Sequence, residues 1–265
     1  MKVILCLFGV IPRSIKYTFK SIKENIINVL LENNHTVDIY VFNLNIKNAK
    51  IDGIYINNND IKLIPYNFYE EYDQEILDIH INKIIKNFGK TFTRYDYTND
   101  IIHNCFRQLY SENRVGEFLE KNANKYDMAI VCGPDFFIAN KLNINEIVNA
   151  NNNNNFYTTV TNDAQGYSNG FYFGKPNILI KPLKRLSEIS KFLPTECDYE
   201  YVLKKSIETY NIVRNVTSLY FFKIRANKNI FFRHPNYNYI NIFSDDNYKK
   251  IVKKYELLVE ELKKL

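Results

Sequence analysis

An arginine near the start of the chain lies where an apolar run gives way to a helical pattern. The run is Lys2–Val10, and the segment that closes it contains Gly9, Arg13 and Ser14. The free N–H groups and the dipole of a helix N-terminus favour an anion, and a guanidinium can bind a phosphate through two parallel hydrogen bonds. We therefore expect these three residues to bind a phosphate-containing ligand, with Ser14 also a candidate N-cap. An ordinary strand-to-helix connection with a surface arginine would have the same sequence.

A single carboxylate follows a second buried run, Tyr126–Cys132. It is Asp135, in Gly133-Pro134-Asp135. A carboxylate directly after a buried strand can ligate Mg²⁺ or Mn²⁺, which would bridge to a diphosphate, or it can accept a hydrogen bond from a sugar hydroxyl. A turn in which Asp135 caps a helix or bends the chain is the alternative.

A third polar segment, Thr161–Gly170, lies between two predicted strands. It contains Asp163 and Asn169 with two glycines. Carboxylate and amide groups on a flexible loop suit the binding of hydroxyl-rich ligands such as sugars. A polar loop without a binding role would have the same kind of sequence.

The elements around these segments predict an α/β sheet. Strand Lys2–Val10, a helix and strand Val37–Phe42 form a βαβ unit. The helix has an apolar stripe at steps of four and three residues: Ile15, Phe19, Ile22, Ile26 and Leu30. Ligands of such sheets bind beyond the carboxyl ends of the strands, and all three polar segments are expected there.

The rest of the chain is predicted from the same patterns. A third strand is expected at Ile61–Ile64 and a partly helical stretch at Ile76–Ile85. A helix opening at Asp100 has an apolar face of Ile102, Cys105, Phe106 and Leu109, with Arg107, Ser111 and Arg114 on the other side. Further strands are expected at Phe156–Thr161, Gly170–Gly174, Thr217–Ile224 and Asn229–Arg233, the last two as a hairpin. Helices are expected around Lys181–Arg185, from Asp198 and at Tyr248–Leu265.

Composition excludes several classes of protein. The net charge is +6 over 265 residues, with basic and acidic residues interspersed, so we expect no nucleic-acid partner. The four cysteines are scattered, and two of them lie in apolar runs, which favours reduced core thiols over disulfides or structural zinc. No apolar stretch reaches membrane-spanning length, and the N-terminal run reads as a core strand rather than a signal peptide. A cytoplasmic location is expected.

Four stretches together resemble a group of GT-A-type glycosyltransferases found in large DNA viruses and some bacteria. They are FGVIPRSIKYTFKSIKENI, RQLYSENRV, VCGPDFFI and TNDAQGYSNGFYFGKP, in that order, and the likeness spans roughly residues 1 to 235. It implies a Rossmann-like, GT-A-like single domain over residues 1–265, with a mostly parallel central sheet and helices on both faces. Residues 1–135 would be the nucleotide-binding half, and residues 136–265 the acceptor-side half with the C-terminal helix.

The resemblance also implies roles for particular residues. The donor, a UDP- or GDP-linked sugar, would be bound by Gly9, Arg13, Ser14, Arg107, Gln108, Ser111, Arg114, Asp135 and Asn169. Asp135 would stand where GT-A enzymes carry the DxD motif that binds Mn²⁺ or Mg²⁺, with His234 as a further ligand. The GPD segment has one carboxylate where that motif has two, so the need for a metal is open. A polar surface histidine is the alternative role of His234.

An inverting transferase needs a carboxylate base at the acceptor hydroxyl. Asp163 and Glu200 are the candidates, although an acid early in a helix also serves the helix dipole. A retaining enzyme could act without such a base, and the sequence leaves the stereochemistry open. The acceptor would be a glycan or a small hydroxyl compound in the cytoplasm or, for a viral protein, the host cytoplasm or virion.

Two other functions fit the same fold. The single aspartate of the GPD segment is compatible with a catalytically inactive protein that binds nucleotide sugars or glycans, or acts as a scaffold. A methyltransferase on a Rossmann-like sheet is disfavoured because the first loop is not glycine-rich. The sequence leaves the oligomeric state open.

Overall fold

The computed structural model of this protein describes residues 1–47, 50–88, 99–159, 166–192, 199–232 and 245–264. Within these ranges the strands are β1 Lys2–Gly9, β2 Thr36–Asn45, β3 Lys50–Ile51, β4 Ile54–Tyr55, β5 Phe68–Asp73, β6 Met128–Cys132, β7 Phe136–Ile138, β8 Phe156–Thr158, β9 Phe171–Gly174, β10 Arg214–Val216, β11 Phe221–Ile224 and β12 Ile230–Phe231. The α-helices there are α1 Ile15–Ile22, α2 Asn28–Glu32, α3 Gln74–Phe88, α4 Asn99–Asn122, α5 Ile144–Asn153, α6 Pro176–Leu183, α7 Ile189–Phe192, α8 Tyr199–Thr209 and α9 Asp245–Lys264.

A central sheet takes up seven of the described strands, in the order β10-β8-β9-β6-β1-β2-β5. Strand β9 runs antiparallel to both of its neighbours, and the other pairs are parallel. The inner strand β1, between β6 and β2, is buried from Val3 to Leu7, which explains its unbroken apolar sequence, because both of its faces are covered. The predicted α/β architecture with a mostly parallel sheet is confirmed.

Alternate residues of β1 face two different hydrophobic clusters. Val3, Leu5 and Leu7 pack with residues of α1, α2 and α5, while Ile4 and Cys6 pack with residues of α3, α4, α6 and α8. Helices therefore cover both faces of the sheet, as predicted. The stripe on the first helix is confirmed, although a π-helical segment, Lys23–Ile27, joins α1 to α2.

A second sheet of three strands, β12-β11-β7, forms among the described residues beside the central one. Strands β11 and β12 make the predicted hairpin, and β7 pairs with the other side of β11. The rings of Phe136 and Phe221 stack with their centroids 3.9 Å apart and belong to the cluster beneath the central sheet. On the other side of β11, Phe222 packs with Tyr255 of α9.

One predicted strand was wrong, and one edge strand was not predicted. Ile61–Ile64 is not a strand but the end of a 3₁₀ turn, Asn58–Leu63, which Asn57 caps by accepting a hydrogen bond from the N–H of Asn59 at 3.2 Å. Ile61 and Ile64 are both buried, because a spacing of three puts them on one side of that turn. The strand that completes this part of the sheet is β5, at its edge, where a mixture of aromatic and acidic residues hides the apolar pattern.

The other predicted elements that lie in the described residues are present with different bounds, and β7, β10 and α5 were not predicted. Strand β11 begins at Phe221 rather than Thr217, and the separate strand β10 precedes it. Cys6, Cys105 and Cys132 are buried in the hydrophobic clusters. In the described parts of the chain, no helix is both long enough and apolar enough to cross a membrane.

Candidate functional site

The three polar segments predicted from the sequence meet at the carboxyl edge of the central sheet. Gly9 ends β1 in the left-handed region at φ +107°, and a β-carbon there would lie 3.9 Å from Pro134. The N–H of Gly133 donates to the carbonyl of Gly170 at 2.7 Å. The close approach of these three backbones places the second segment between the other two.

Arg13 lies on a 3₁₀ turn, Ile11–Arg13, between β1 and α1. The side-chain oxygen of Asn43, at the end of β2, accepts a hydrogen bond from the N–H of Ile11 at 3.1 Å and so holds this turn against the sheet. Asn43 is buried and was not predicted. The Arg13 side chain therefore has a fixed origin at the strand ends.

Asp135 is the partner of Arg13. Oδ2 of Asp135 accepts a hydrogen bond from Nη2 of Arg13 at 2.5 Å, and Nη1 of Arg225 lies 3.4 Å from the same oxygen. The Asp135 side chain is only 9% exposed. Burial by itself would raise the pKa of this carboxyl, but the positive charges of Arg13, Lys223 and Arg225 hold the pKa below its ordinary value. Asp135 is thus a buried, ionised carboxylate surrounded by cations.

Two of these cations were not predicted: Lys223 lies on β11, and Arg225 directly follows it. Lys223 and Arg225 alternate with Phe222 and Ile224, so they share the face of β11 that carries Phe221. The alternation in Phe-Phe-Lys-Ile-Arg was the available signal. Because β11 also pairs with β7, just after Asp135, Arg225 lies 3.4 Å from the carboxylate, and Lys223 is near enough for its charge to lower the pKa of Asp135.

Backbone contacts fix the position of β11 against the Asp135 turn. The N–H of Ile224 donates to the carbonyl of Asp135 at 2.8 Å, and the hydroxyl of Ser14 donates to the carbonyl of Ile224 at 2.6 Å. The hydroxyl of Thr18 donates to the carbonyl of Pro134 at 2.7 Å. The cations and the carboxylate therefore sit on a rigid support built from α1, β7 and β11.

Ser14 occupies the N-cap position of α1, but its side chain does not cap the helix. The residue is fully buried, and its hydroxyl bonds β11 instead. The predicted capping role was wrong, because the buried carbonyl of Ile224 takes the hydroxyl hydrogen bond. Contact of Ser14 with a donor stays a prediction.

The four donor-binding residues predicted on α4 form hydrogen bonds or ion pairs with α3, with β5 or within α4 itself. Arg107 forms two hydrogen bonds to Asp78 of α3, at 2.8 and 2.6 Å. Arg114 pairs with Glu70 of β5 and with Glu117. The side chain of Gln108 donates to Glu112 at 2.7 Å, and the buried Ser111 donates to the carbonyl of Arg107 at 2.7 Å.

Helix α4 packs on the face of the sheet opposite to α1. Within the described residues no hydrogen bond or ion pair joins those four side chains to Arg13 or Asp135. Ser111 was expected on the outer side of the helix and is buried, because α6 packs there as well. A donor-binding role for these four residues stays a prediction.

Of the third polar segment, Thr161–Gly170, the structure describes residues 166–170. Asn169 is 3% exposed, and in this part of the structure no hydrogen bond to its side chain is formed. The N–H of Tyr167 donates to the carbonyl of Glu200 at 2.9 Å, which places the start of α8 beside this segment. Glu200 is half-buried in the first turn of α8. Asp163 and His234 lie outside the described residues.

A divalent metal does not fit the described part of this site well. Oδ2 of Asp135 already pairs with two guanidinium groups, and a metal ion would approach three positive charges. Across the described ranges, no group of three histidine, cysteine, aspartate or glutamate residues is placed to hold a metal ion. Metal ligation by Asp135 and His234 stays a prediction that the charges do not favour.

Comparisons with known proteins give a match among solved structures but none among protein families or curated sequences. No protein-family model matches the sequence, and no curated protein sequence does. Among solved structures, the chain is similar to mouse xyloside xylosyltransferase 1 in its apo form, with 8% identity and a TM-score of 0.45, over 82% of this chain and 85% of that chain. At these values the likeness carries no argument about function.

Proposed function

We propose that this protein is a glycosyltransferase that transfers a sugar from a nucleoside-diphosphate sugar, UDP- or GDP-linked, to a hydroxyl group of a glycan or a small acceptor. The observation that carries the proposal is the cluster of Arg13, Lys223 and Arg225 around Asp135 at the carboxyl edge of the sheet. Ligands of open α/β sheets bind at that edge, and a cationic site suits a diphosphate. The motif resemblance to GT-A-type enzymes supports the same reaction.

In the proposed reaction, the acceptor oxygen forms a bond to the anomeric carbon of the sugar as the bond to the diphosphate oxygen breaks. The leaving nucleoside diphosphate gains negative charge, which the three cations stabilise. The proton of the acceptor hydroxyl passes to a carboxylate if transfer is inverting. Asp163 and Glu200 are the proposed bases, and Glu200 lies in the first turn of α8, where its carbonyl accepts from the N–H of Tyr167.

One observation favours a second function, that of a binding protein without catalysis. Asp135, the acidic residue of the GPD segment, is already bound by two guanidinium groups, so it is not free to act as a base. If Asp163 and Glu200 also do not reach the acceptor, the site would bind a nucleotide sugar without transferring it.

A thermal-shift screen with UDP, GDP, CMP and their common sugars tests the binding step. A ligand that binds only the native state raises the melting temperature by mass action, so we expect one nucleoside diphosphate to raise it and the Arg13→Ala variant to lose that effect. No shift with any nucleotide would contradict the proposal. An equal shift in Arg13→Ala would place the site elsewhere.

Turnover then separates the enzyme from the binding protein. We expect the wild-type protein to release nucleoside diphosphate from the bound donor when a hydroxyl acceptor is added. Asp163→Asn and Glu200→Gln are compared side by side, because only the variant that removes the base should lose turnover while it keeps donor affinity. Donor binding without any release of nucleoside diphosphate would favour the second function.

A further inference from the structure

The ion cluster at Asp135 carries an excess of positive charge. Among the described residues, three cationic side chains surround one carboxylate, so the group as a whole has a charge of about +2. The carboxylate lies beneath them, 9% exposed, while the side chains of Arg13 and Arg225 are 23% and 35% exposed. The surface that a ligand meets is therefore cationic, and the acidic group lies behind it.

The cations are held in place before any ligand binds. Nζ of Lys223 lies 5.2 Å from the centre of the Phe136 ring, and the guanidinium of Arg225 lies 5.5 Å from that of Phe231. The N–H of Ala226 donates to Oδ2 of Asp52 at 3.1 Å, which ties the β11–β12 turn to the loop between β3 and β4. Fixed cations need little reorganisation to bind an anion, which improves both affinity and stabilisation of a leaving group.

Arg13 has hydrogen-bonding capacity left over. Its Nε is buried, and in the described structure it has no hydrogen-bond partner. A buried donor of this kind costs free energy unless something accepts its hydrogen bond. A phosphate oxygen beside the Arg13–Asp135 pair could accept from this N–H or from the remaining guanidinium hydrogens.

From these contacts we propose that Arg13, Lys223 and Arg225 bind the diphosphate of the ligand in place of a divalent metal ion, and that Asp135 is their buried counter-ion. Asp135 is then a positioning residue, which holds two guanidinium groups at the strand ends and does not contact the ligand. The inference rests on the proposed function for the identity of the natural ligand, but the charge arrangement itself can be tested with an inorganic anion.

The test is isothermal titration of the whole protein with inorganic pyrophosphate, once in EDTA and once with Mn²⁺. We expect pyrophosphate to bind in EDTA with an affinity within about threefold of that in Mn²⁺. Binding that appears only with Mn²⁺ would overturn the inference and leave the proposed function standing. Absence of binding under both conditions would also overturn it, whereas the nucleotide screen judges the proposed function separately.

Charge-removing variants identify the cations that bind. Lys223→Gln and Arg225→Gln should each weaken pyrophosphate binding in EDTA by about tenfold, since each removes one unit of charge from a partly buried site. Lys249→Gln, at an exposed position of α9, is the matched control with the same change in charge and should alter the affinity less than twofold. Equal effects in all three variants would show only non-specific attraction and would contradict the inference.

Asp135→Asn separates a counter-ion from a metal ligand. It keeps the size of the side chain and one accepting oxygen but removes the negative charge. We expect pyrophosphate binding to persist within about threefold both in EDTA and with Mn²⁺, because the remaining oxygen can still accept a hydrogen bond from a guanidinium group. Circular dichroism first shows that the variant is folded. Loss of binding in a folded Asp135→Asn protein would contradict the counter-ion role. If Asp135→Asn does not fold, the Lys223→Gln and Arg225→Gln variants still test the site.

Discussion

At the scale of single residues, the partners of a charged side chain decide what it can do. Asp135 follows a buried strand, as a metal-binding carboxylate would, yet its Oδ2 accepts from Arg13 and lies near Arg225. A carboxylate that is already paired with two guanidinium groups is poorly suited to ligate a metal cation. It is well suited to align those guanidinium groups. The same residue type at the same place in the chain thus supports a different chemistry.

Arg13→Lys tests whether the geometry of the guanidinium matters beyond its charge. Lysine keeps the positive charge but cannot make two parallel hydrogen bonds, so we expect affinity for the nucleoside diphosphate to fall about tenfold and that of Arg13→Ala to fall further. Isothermal titration measures both. An Arg13→Lys protein with wild-type affinity would mean that only the charge is used.

Gly170 holds a backbone conformation and a close contact that other residues cannot share. Its φ is +85°, and an added β-carbon would lie 2.9 Å from Cζ of Phe136. We expect Gly170→Ala to lower the free energy of unfolding by about 2 to 4 kcal/mol, from backbone strain and overpacking together.

Gly53→Ala is the matched control for Gly170→Ala. Gly53 also has a positive φ, +79°, but nothing lies within 4 Å of an added β-carbon. Gly53→Ala should therefore lower the free energy of unfolding by only about 1 kcal/mol, from backbone strain alone. Chemical denaturation of both variants measures the difference, and equal losses would show that the contact with Phe136 is not tight.

At the scale of elements, a buried ion pair joins α4 to the turn that follows α6. Arg185 and Glu112 are both fully buried and form a salt bridge. Glu112 also accepts hydrogen bonds from Gln108 and from the hydroxyl of Tyr172, each at 2.7 Å. Arg185 in turn donates to the carbonyl of Pro182 at 2.7 Å. This network joins α4 and the turn after α6 to strand β9, on the face of the sheet away from Arg13.

Removing either partner of this pair leaves the other charge buried. We expect Glu112→Gln and Arg185→Met each to cost about 3 to 5 kcal/mol of stability, and the double variant to cost clearly less than the sum. Urea denaturation of the four proteins gives the coupling free energy. Additive losses would show that the two side chains do not act as a pair.

At the scale of the whole molecule, the two main hydrophobic clusters share the same strands. Leu5 and Leu7 of β1 and Ile130 of β6 face one cluster, and Cys6 of β1 and Val131 of β6 face the other. Neither side can open without exposing a strand that the other side also covers. The packing of the two faces is therefore expected to be interdependent.

We accordingly expect the central sheet and its helices to unfold in a single transition. Far-ultraviolet circular dichroism follows the backbone and the near-ultraviolet signal of the tyrosines follows side-chain packing, and the two midpoints in urea should coincide. Midpoints that differ would show that one face, or the β7–β11–β12 sheet with α9, unfolds separately.

Elements with a local sequence pattern could be predicted from the sequence alone. The continuous apolar run at β1, the stripe along α1 and α2, and the apolar face of α4 depend only on strand and helix periodicity, and the structure confirms all three. Positions at strand ends follow from the same patterns, so Arg13, Asp135 and Asn169 were correctly placed at one edge of the sheet. Edge strand β5 escaped detection because an exposed face does not need apolar residues.

The contacts between distant side chains could not be predicted from the sequence and depend on the tertiary fold. Arg13 and Asp135 are 122 residues apart in sequence, and Ser14 and Ile224 are 210 apart. No local pattern reports such contacts, because an ion pair or a buried hydrogen bond depends on how distant strands are ordered in the sheets. For that reason Lys223 and Arg225 lie near Asp135. Arg107 and Arg114 instead form ion pairs with acidic residues of α3, β5 and α4 itself.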